Sequence, residues 1–70
     1  MATQKLTVKE YSTWAHHNGT QYRVLMLTNK NSTDTLKYPV TVVYQNVNNH
    51  SVWSRPLKDW HRSMTLVRAA

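Results

Sequence analysis

Acidic side chains are the first place to look for catalysis, because paired carboxylates, or a carboxylate beside a histidine, can transfer protons. The chain has three carboxylates, Glu10, Asp34 and Asp59, and their spacing pairs none of them. Asp59 and His61 flank Trp60, and in a helical turn these two side chains would point to different faces. The sequence also has no cysteine nucleophile and no glycine-rich phosphate loop. We therefore expect no enzymatic activity and no cofactor.

Histidines are the next candidates, because imidazole is a common metal ligand. The four histidines are His16, His17, His50 and His61. Neighbours on a strand point to opposite faces, so we do not expect His16 and His17 to reach one ion. Zinc sites usually combine histidines at i, i+4 with cysteines, and the chain has neither. We expect ordinary surface histidines and no metal site.

Basic and aromatic residues alternate in the last third of the chain, most densely in the stretch VWSRPLKDW at residues 52–60. Nine Lys and Arg against three acids give a net charge of +6. Such a charge attracts polyanions, and proteins that bind single-stranded nucleic acid place cations along the backbone and stack bases on aromatic rings. The predicted binding residues are Arg23, Trp53, Arg55, Lys58, Trp60 and Arg62.

A structural role competes with binding for the two tryptophans of this stretch. Trp53 would lie at the end of a strand, and Trp60 shares a helical face with Leu57, so we expect both indoles to be packed. Arg55 is different. The residue before a proline is extended, which would let this guanidinium stack on a tryptophan or bind a carboxylate or phosphate in a bidentate manner.

Short β-type runs separated by turn residues at roughly 8–12-residue spacing must position these side chains, as in a small barrel or sandwich. The predicted strands are residues 11–17, 20–28, 40–45, 51–55 and 64–68. Asn18-Gly19 predicts a hairpin, since both residues tolerate positive φ. The polar stretch at 29–39 predicts a long loop.

The predicted helical turn lies at residues 56–63. Proline suits the first position of a helix, and Leu57, Trp60 and Met64 follow at helical spacing. One or two turns, possible also as a 3₁₀ helix, should precede the last strand.

An N-terminal helix is the second-ranked alternative for residues 7–15. Thr7 and Glu10 resemble a capping box, and Val8, Tyr11 and Trp14 have roughly helical spacing. That helix would have to end immediately before the Asn-Gly hairpin, and the β-rich neighbourhood argues against it.

The length of 70 residues allows one domain with a single core. We assign residues 1–70 to it, with 11–68 as the barrel and 1–9 as a segment that can be flexible. With no cysteine to form disulfides, three Trp and four Tyr must supply much of the buried area. The longest apolar run, at residues 24–27, is far too short to span a bilayer, so we expect a cytoplasmic protein without a membrane partner.

Three blocks carry a family resemblance. They are Y-x-x-W-x-H-x-N-G-x-x-Y-x-V-L at 11–25, V-V-Y-Q at 42–45 and W-x-R-P-L-x-x-W at 53–60. The chain resembles a family of small bacterial and phage proteins of unknown function over about residues 11–64. Family members often carry acidic residues in the middle loop, whereas this loop has only Asp34. Residues 60–65 look closest to phage variants. The resemblance implies an SH3-like barrel with a short 3₁₀ turn before the last strand.

We therefore expect an all-β fold, a small SH3-like barrel of about five antiparallel strands with a helical or 3₁₀ turn before the last. The expected function is that of a non-enzymatic basic module, phage-encoded, that binds nucleic acid in the host cytoplasm. One alternative is a phage protein that engages or inhibits an acidic host protein through aromatic and arginine anchors. Another is a homo-oligomer that buries its surplus aromatic surface between subunits.

Overall fold

The computed structural model describes residues 7–70. Its strands are β1 (Thr13–His16), β2 (Gln21–Thr28), β3 (Thr41–Asn46), β4 (Val52–Pro56) and β5 (Met64–Arg68). They form one antiparallel sheet in the order β4-β3-β2-β1-β5. A 3₁₀ turn at Leu57–Asp59 and one helical turn, α1, at Trp60–Ser63 precede β5. The prediction of five antiparallel strands with a short helical turn before the last is confirmed.

A tight turn connects the two strands of each hairpin, β1–β2 and β3–β4. Gly19 has a φ of +94°, as the Asn-Gly prediction requires, and its N–H donates to the His16 carbonyl at 2.8 Å. Between β3 and β4, the Asn46 side chain accepts hydrogen bonds from the backbone N–H groups of Asn48 and Asn49. In the first turn the Asn18 side chain likewise accepts a hydrogen bond from the Thr20 N–H at 2.9 Å, so side chains help to satisfy the turn backbone of both hairpins.

A bulge bends β2. Val24 pairs with Tyr44 and Met26 with Val43, so one residue of β2 has no partner in β3. The bulge lets the strand bury Val24 and still turn Leu27 inward opposite Val42. It explains why residues 24–26 do not follow the usual alternation of inner and outer side chains.

Trp60 lies at the centre of the core. Its ring meets Trp14 edge-on at 5.6 Å between centroids and meets Tyr44 edge-on at 5.0 Å. Tyr44 in turn meets Tyr22 at 5.0 Å. The fully packed core consists of Val8, Trp14, Val24, Val42, Tyr44, Trp60 and Met64. Aromatic rings therefore supply the buried area that a chain of this size needs, and the expected packing of Trp60 is confirmed.

The segment before β1 is a turn and not the alternative helix. Tyr11 has a left-handed φ of +68°, and its N–H donates to the Val24 carbonyl at 2.7 Å. A helix cannot pass through a left-handed residue. Val8 packs in the core, and residues 1–6, which make up most of the predicted flexible segment at 1–9, lie outside the described residues.

Strands β4 and β5 are the two edges of the sheet, and they do not pair with each other. The sheet is therefore not closed by hydrogen bonds, and the SH3-like label stays a prediction. Of the helical turns described, none is long and apolar enough to cross a membrane.

Candidate functional site

Strand β4 presents a free backbone edge. The Leu57 N–H donates to the Val40 carbonyl at 2.8 Å, and the Asn46 N–H donates to the Ser51 carbonyl at 2.9 Å. Because hydrogen-bonded pairs alternate along an antiparallel ladder, the backbone groups of Trp53 and Arg55 also face β3. Those of Val52 and Ser54 face outward.

Proline ends this free edge. Pro56 has the same parity as Val52 and Ser54, so its missing N–H falls on the outward side and removes no bond from the sheet. The edge therefore offers two outward N–H donors, from Val52 and Ser54, before the proline blocks further pairing.

Trp53 stands out from this edge in a fixed orientation. It lies opposite Tyr44 on the inner face of the sheet, yet it is 55% exposed. Its indole Nε1 donates to Ser51 Oγ at 2.8 Å, and Ser51 Oγ donates to Asn49 Oδ1 at 2.7 Å. The expectation that Trp53 is packed is wrong, because no described element lies beyond the edge strand to cover it.

Arg55 is half-buried and has no anionic partner. It lies opposite the buried Val42, its Nη1 is enclosed without a hydrogen-bond acceptor, and it makes no ion pair within the described chain. It does not stack on a tryptophan either. A half-buried guanidinium is costly unless an anion completes its hydrogen bonding. Arg55 is therefore a cation whose charge no described carboxylate neutralises.

The Tyr44 hydroxyl reports the electrostatics around Arg55. Burial raises the pKa of Tyr44 above its ordinary value of 10.0, the positive charge of Arg55 lowers this pKa, and Tyr22 raises it. Arg55 is thus close enough for its positive charge to affect the ionisation of the Tyr44 hydroxyl, but burial has the largest effect on the Tyr44 pKa. Tyr44 is therefore expected to stay protonated and uncharged beside Arg55 at neutral pH.

The helical turn holds the remaining candidates of the C-terminal third. Lys58 is exposed in the 3₁₀ turn. Arg62 donates to Asp59 Oδ1 at 2.8 Å, so its charge is partly compensated. Trp60 is fully buried and cannot touch a partner from its position.

Arg23 lies apart from the others. It pairs with Thr13 and Gln45, so its side chain is on the outer face, opposite to the face that carries Trp53 and Arg55. Of the six predicted residues, Trp53 and Arg55 share one face of β4, and Lys58 is exposed in the 3₁₀ turn that follows this strand. We call these three residues the β4 surface.

Sequence reasoning missed two residues that contact or face the β4 surface. Ser51 orients the Trp53 indole, and Tyr44 lies opposite Trp53 in β3. The signal for Ser51 was its place two residues before Trp53 on the same strand face, within reach of the indole N–H. The signal for Tyr44 was its place in V-V-Y, but only the strand register reveals that it faces Trp53.

The histidine pair departs from its prediction. The rings of His16 and His17 lie 4.1 Å apart between centroids, because β1 ends at His16 and the strand alternation ends with it. Among residues 7–70, no group of three His, Asp or Glu side chains could hold a metal ion.

Comparison with known proteins gives a family. A family model described as protein of unknown function (DUF1653) matches residues 12–68. No curated protein and no solved structure matches the chain. The matched region includes all five strands and the helical turn between β4 and β5. This chain belongs to the DUF1653 family of proteins of unknown function.

Proposed function

We propose that this protein is a non-enzymatic module that binds single-stranded nucleic acid through the β4 surface. The observation that carries the proposal is the side-by-side placement of an exposed, oriented Trp53 and an unpartnered Arg55 on one face of an edge strand. Nucleic acid is the ligand class that offers a flat ring and an anion at adjacent positions.

Charge supports this ligand class. The net charge of +6 is large for 70 residues, and of the Lys and Arg side chains in the described part only that of Arg62 has a carboxylate partner. Lys58 adds an exposed cation in the 3₁₀ turn that follows β4. A polyanion releases its counterions when it meets such a surface, which gives sequence-independent affinity.

The exposed indole favours single strands over duplexes. A base inside a duplex is stacked on its neighbours, whereas an unpaired base can stack on Trp53. Stacking of one base on one aromatic ring is worth about 1–3 kcal/mol. The hydrogen bond to Ser51 holds the indole in place before the ligand arrives, so little rotamer freedom is lost on binding.

Fluorescence anisotropy with labelled single- and double-stranded DNA and RNA, at two salt concentrations, tests the proposal. We expect single strands to bind more tightly than duplexes, with affinity falling as salt rises. Binding weaker than about 100 μM at low salt for all four ligands would contradict it, because even non-specific binding is usually stronger.

Matched variants assign the interaction to the β4 surface. Trp53→Ala should weaken binding by about 5- to 150-fold, and Trp53→Tyr should retain most of the affinity. Lys58→Met should reduce the slope of log affinity against log salt by about 0.7. Lys9→Met is the control, because Lys9 is exposed beside Leu66 of β5 at the opposite edge of the sheet.

Protein binding is the second candidate, and the free β4 edge favours it. Val52 and Trp53 are both more than half exposed beside the outward N–H groups of Val52 and Ser54. An extended acidic segment of a host protein could add as a strand there. A partner retained in a pull-down after nuclease treatment, together with slowed exchange of the Val52 and Ser54 amides, would support this candidate. Loss of the partner after nuclease would favour nucleic acid.

The proposed setting is the cytoplasm of a host cell, with the protein encoded by a phage. The similarity of residues 60–65 to phage variants supports it. Fractionation of infected cells tests it, and recovery of the protein outside the cytoplasmic fraction would contradict it.

Light scattering across concentrations distinguishes a monomer from a homo-oligomer joined through edge strands.

A further inference from the structure

A second basic site lies on the outer face of the sheet, across β2, β1 and β5. Thr13 pairs with Arg23 on one side and with Arg68 on the other. Arg23 lies directly opposite Thr13 and shares its face of the sheet. Arg68 pairs with Thr13 at an irregularity in the β1–β5 ladder, and it lines the same cavity as Thr13 and Arg23. Each arginine is about 5 Å from Thr13 at the Cα atoms, and an arginine side chain easily reaches across that distance.

These two arginines line one cavity. Its volume is about 310 Å³, and its lining residues are Thr13, Gln21, Arg23, Val47, Val67 and Arg68. Neither arginine has an ion pair within residues 7–70, and Glu10, the acid nearest to Thr13 in sequence, pairs with neither. Two cations that share a cleft without a carboxylate repel each other until an anion enters.

We propose that this outer cleft binds a phosphate group. A carboxylate has two oxygens in one plane and is satisfied by one arginine, whereas a tetrahedral phosphate can accept from both arginines and from Thr13. Gln21 adds an amide that can donate to a further oxygen. Val47 and Val67 give the cleft apolar walls, which suit the sugar or base attached to a nucleotide phosphate.

This site does not rest on the proposed function, because it uses the opposite face and none of the β4 surface. If both sites act, nucleic acid would contact both faces of the sheet. The phosphate could come from a polynucleotide backbone or from a free nucleotide, and these sources share the same chemistry at the two arginines.

Two-dimensional NMR titration of the intact protein tests the site with inorganic phosphate, a nucleoside monophosphate and a short single-stranded oligonucleotide. Ionic strength is matched with sodium chloride. We expect saturable shifts centred on the amides of Thr13, Arg23 and Arg68 with at least one of these ligands. Binding of the free phosphate or mononucleotide indicates a nucleotide site, and binding of the oligonucleotide alone indicates a backbone contact.

Variants make the test specific. Arg23→Met or Arg68→Met should weaken binding at the cleft by about tenfold, the size of one charge-assisted hydrogen bond. Both side chains are exposed, so folding should be unaffected. Trp53→Ala should leave the cleft shifts unchanged, which separates this proposal from the proposed function. Shifts that spread over Lys9 and Lys30 equally, or that persist when Arg23→Met and Arg68→Met are combined in one protein, would overturn it.

Discussion

Trp53 and Tyr44 lie directly opposite each other in the β3–β4 ladder, yet Tyr44 is 7% exposed and Trp53 is 55% exposed. The difference arises because the Tyr44 ring packs edge-on against Trp60 and Tyr22, whereas Trp53 lies on β4, an edge strand of the sheet. One aromatic of the pair stabilises the core, and its cross-strand neighbour faces solvent. The two tryptophans of the stretch at 52–60 should therefore behave differently when they are substituted.

Trp60→Ala should reduce the free energy of unfolding by about 3–5 kcal/mol, because it leaves a large cavity beside Trp14 and Tyr44. Trp53→Ala should change it by less than about 1 kcal/mol, since an exposed side chain contributes little packing. Urea denaturation followed by circular dichroism measures both values.

The loss of stability expected for Trp60→Ala is large enough to unfold the protein, because the free energy of unfolding of a domain of this size is only about 4–10 kcal/mol. Trp60→Phe keeps most of the buried ring and should lose less than Trp60→Ala, which gives a measurable intermediate. Equal losses for Trp53→Ala and Trp60→Ala would show that Trp53 is packed in solution.

Arg55→Met should leave the stability unchanged or raise it by about 1 kcal/mol, while it weakens nucleic-acid binding. Methionine fills the space of the arginine stem and removes an unpaired, half-buried charge. Urea denaturation and anisotropy measure the two effects separately. A loss of stability of about 2 kcal/mol or more would instead mean that the guanidinium has a stabilising partner within the protein.

Local signals in the sequence predicted most of the fold. Gly19 determined the first hairpin through its positive φ, and Pro56 with the spacing of Leu57 and Trp60 determined the helical turn. These features depend on a few neighbouring residues, so they can be seen without the tertiary structure. The bulge in β2 was visible only as a break in alternation, because its position depends on pairing with β3.

The candidate surface was harder to predict than the fold. Exposure of Trp53 depends on β4 being an edge strand, and strand order is a property of the whole sheet. The separation of Arg23 from Arg55 likewise follows from strand parity counted across two ladders. Composition pointed to basic and aromatic residues as binding candidates, but it could not say which of them share a face.

Ser12→Ala should destabilise the protein by about 1–3 kcal/mol, although it removes one oxygen atom only. Ser12 is buried, accepts a hydrogen bond from Trp14 Nε1 at 2.8 Å and donates to the Lys9 carbonyl. Alanine would leave the indole N–H without a partner inside the core. Thermal or urea denaturation measures the loss, and Ser32→Ala in the exposed loop is the matched control. Equal stability of Ser12→Ala and the wild type would show that water replaces the hydroxyl.

Tyr44 should make the protein sensitive to alkaline pH. Burial raises its pKa in the folded state above the ordinary value of 10.0, so the unfolded chain loses this proton first as the pH rises. The stabilising effect of the neutral phenol is fully present below pH 10 and is lost as the pH rises from 10 through the folded pKa. The free energy of unfolding should then fall by up to about 1.4 kcal/mol per pH unit from this group alone.

Tyr44→Phe isolates this effect, because the phenylalanine ring keeps the edge contacts with Trp60 and Tyr22 but cannot ionise. The stability difference between the wild type and Tyr44→Phe should be constant below pH 10 and should shift against the wild type above it. Arg55→Met should raise the Tyr44 pKa further, since the positive charge that lowers it is removed. The ultraviolet absorbance of tyrosinate is followed against pH, and the difference between the titration curves of the wild type and Tyr44→Phe gives that pKa. A Tyr44 pKa at or below 10 would mean that the charge of Arg55 outweighs burial in solution.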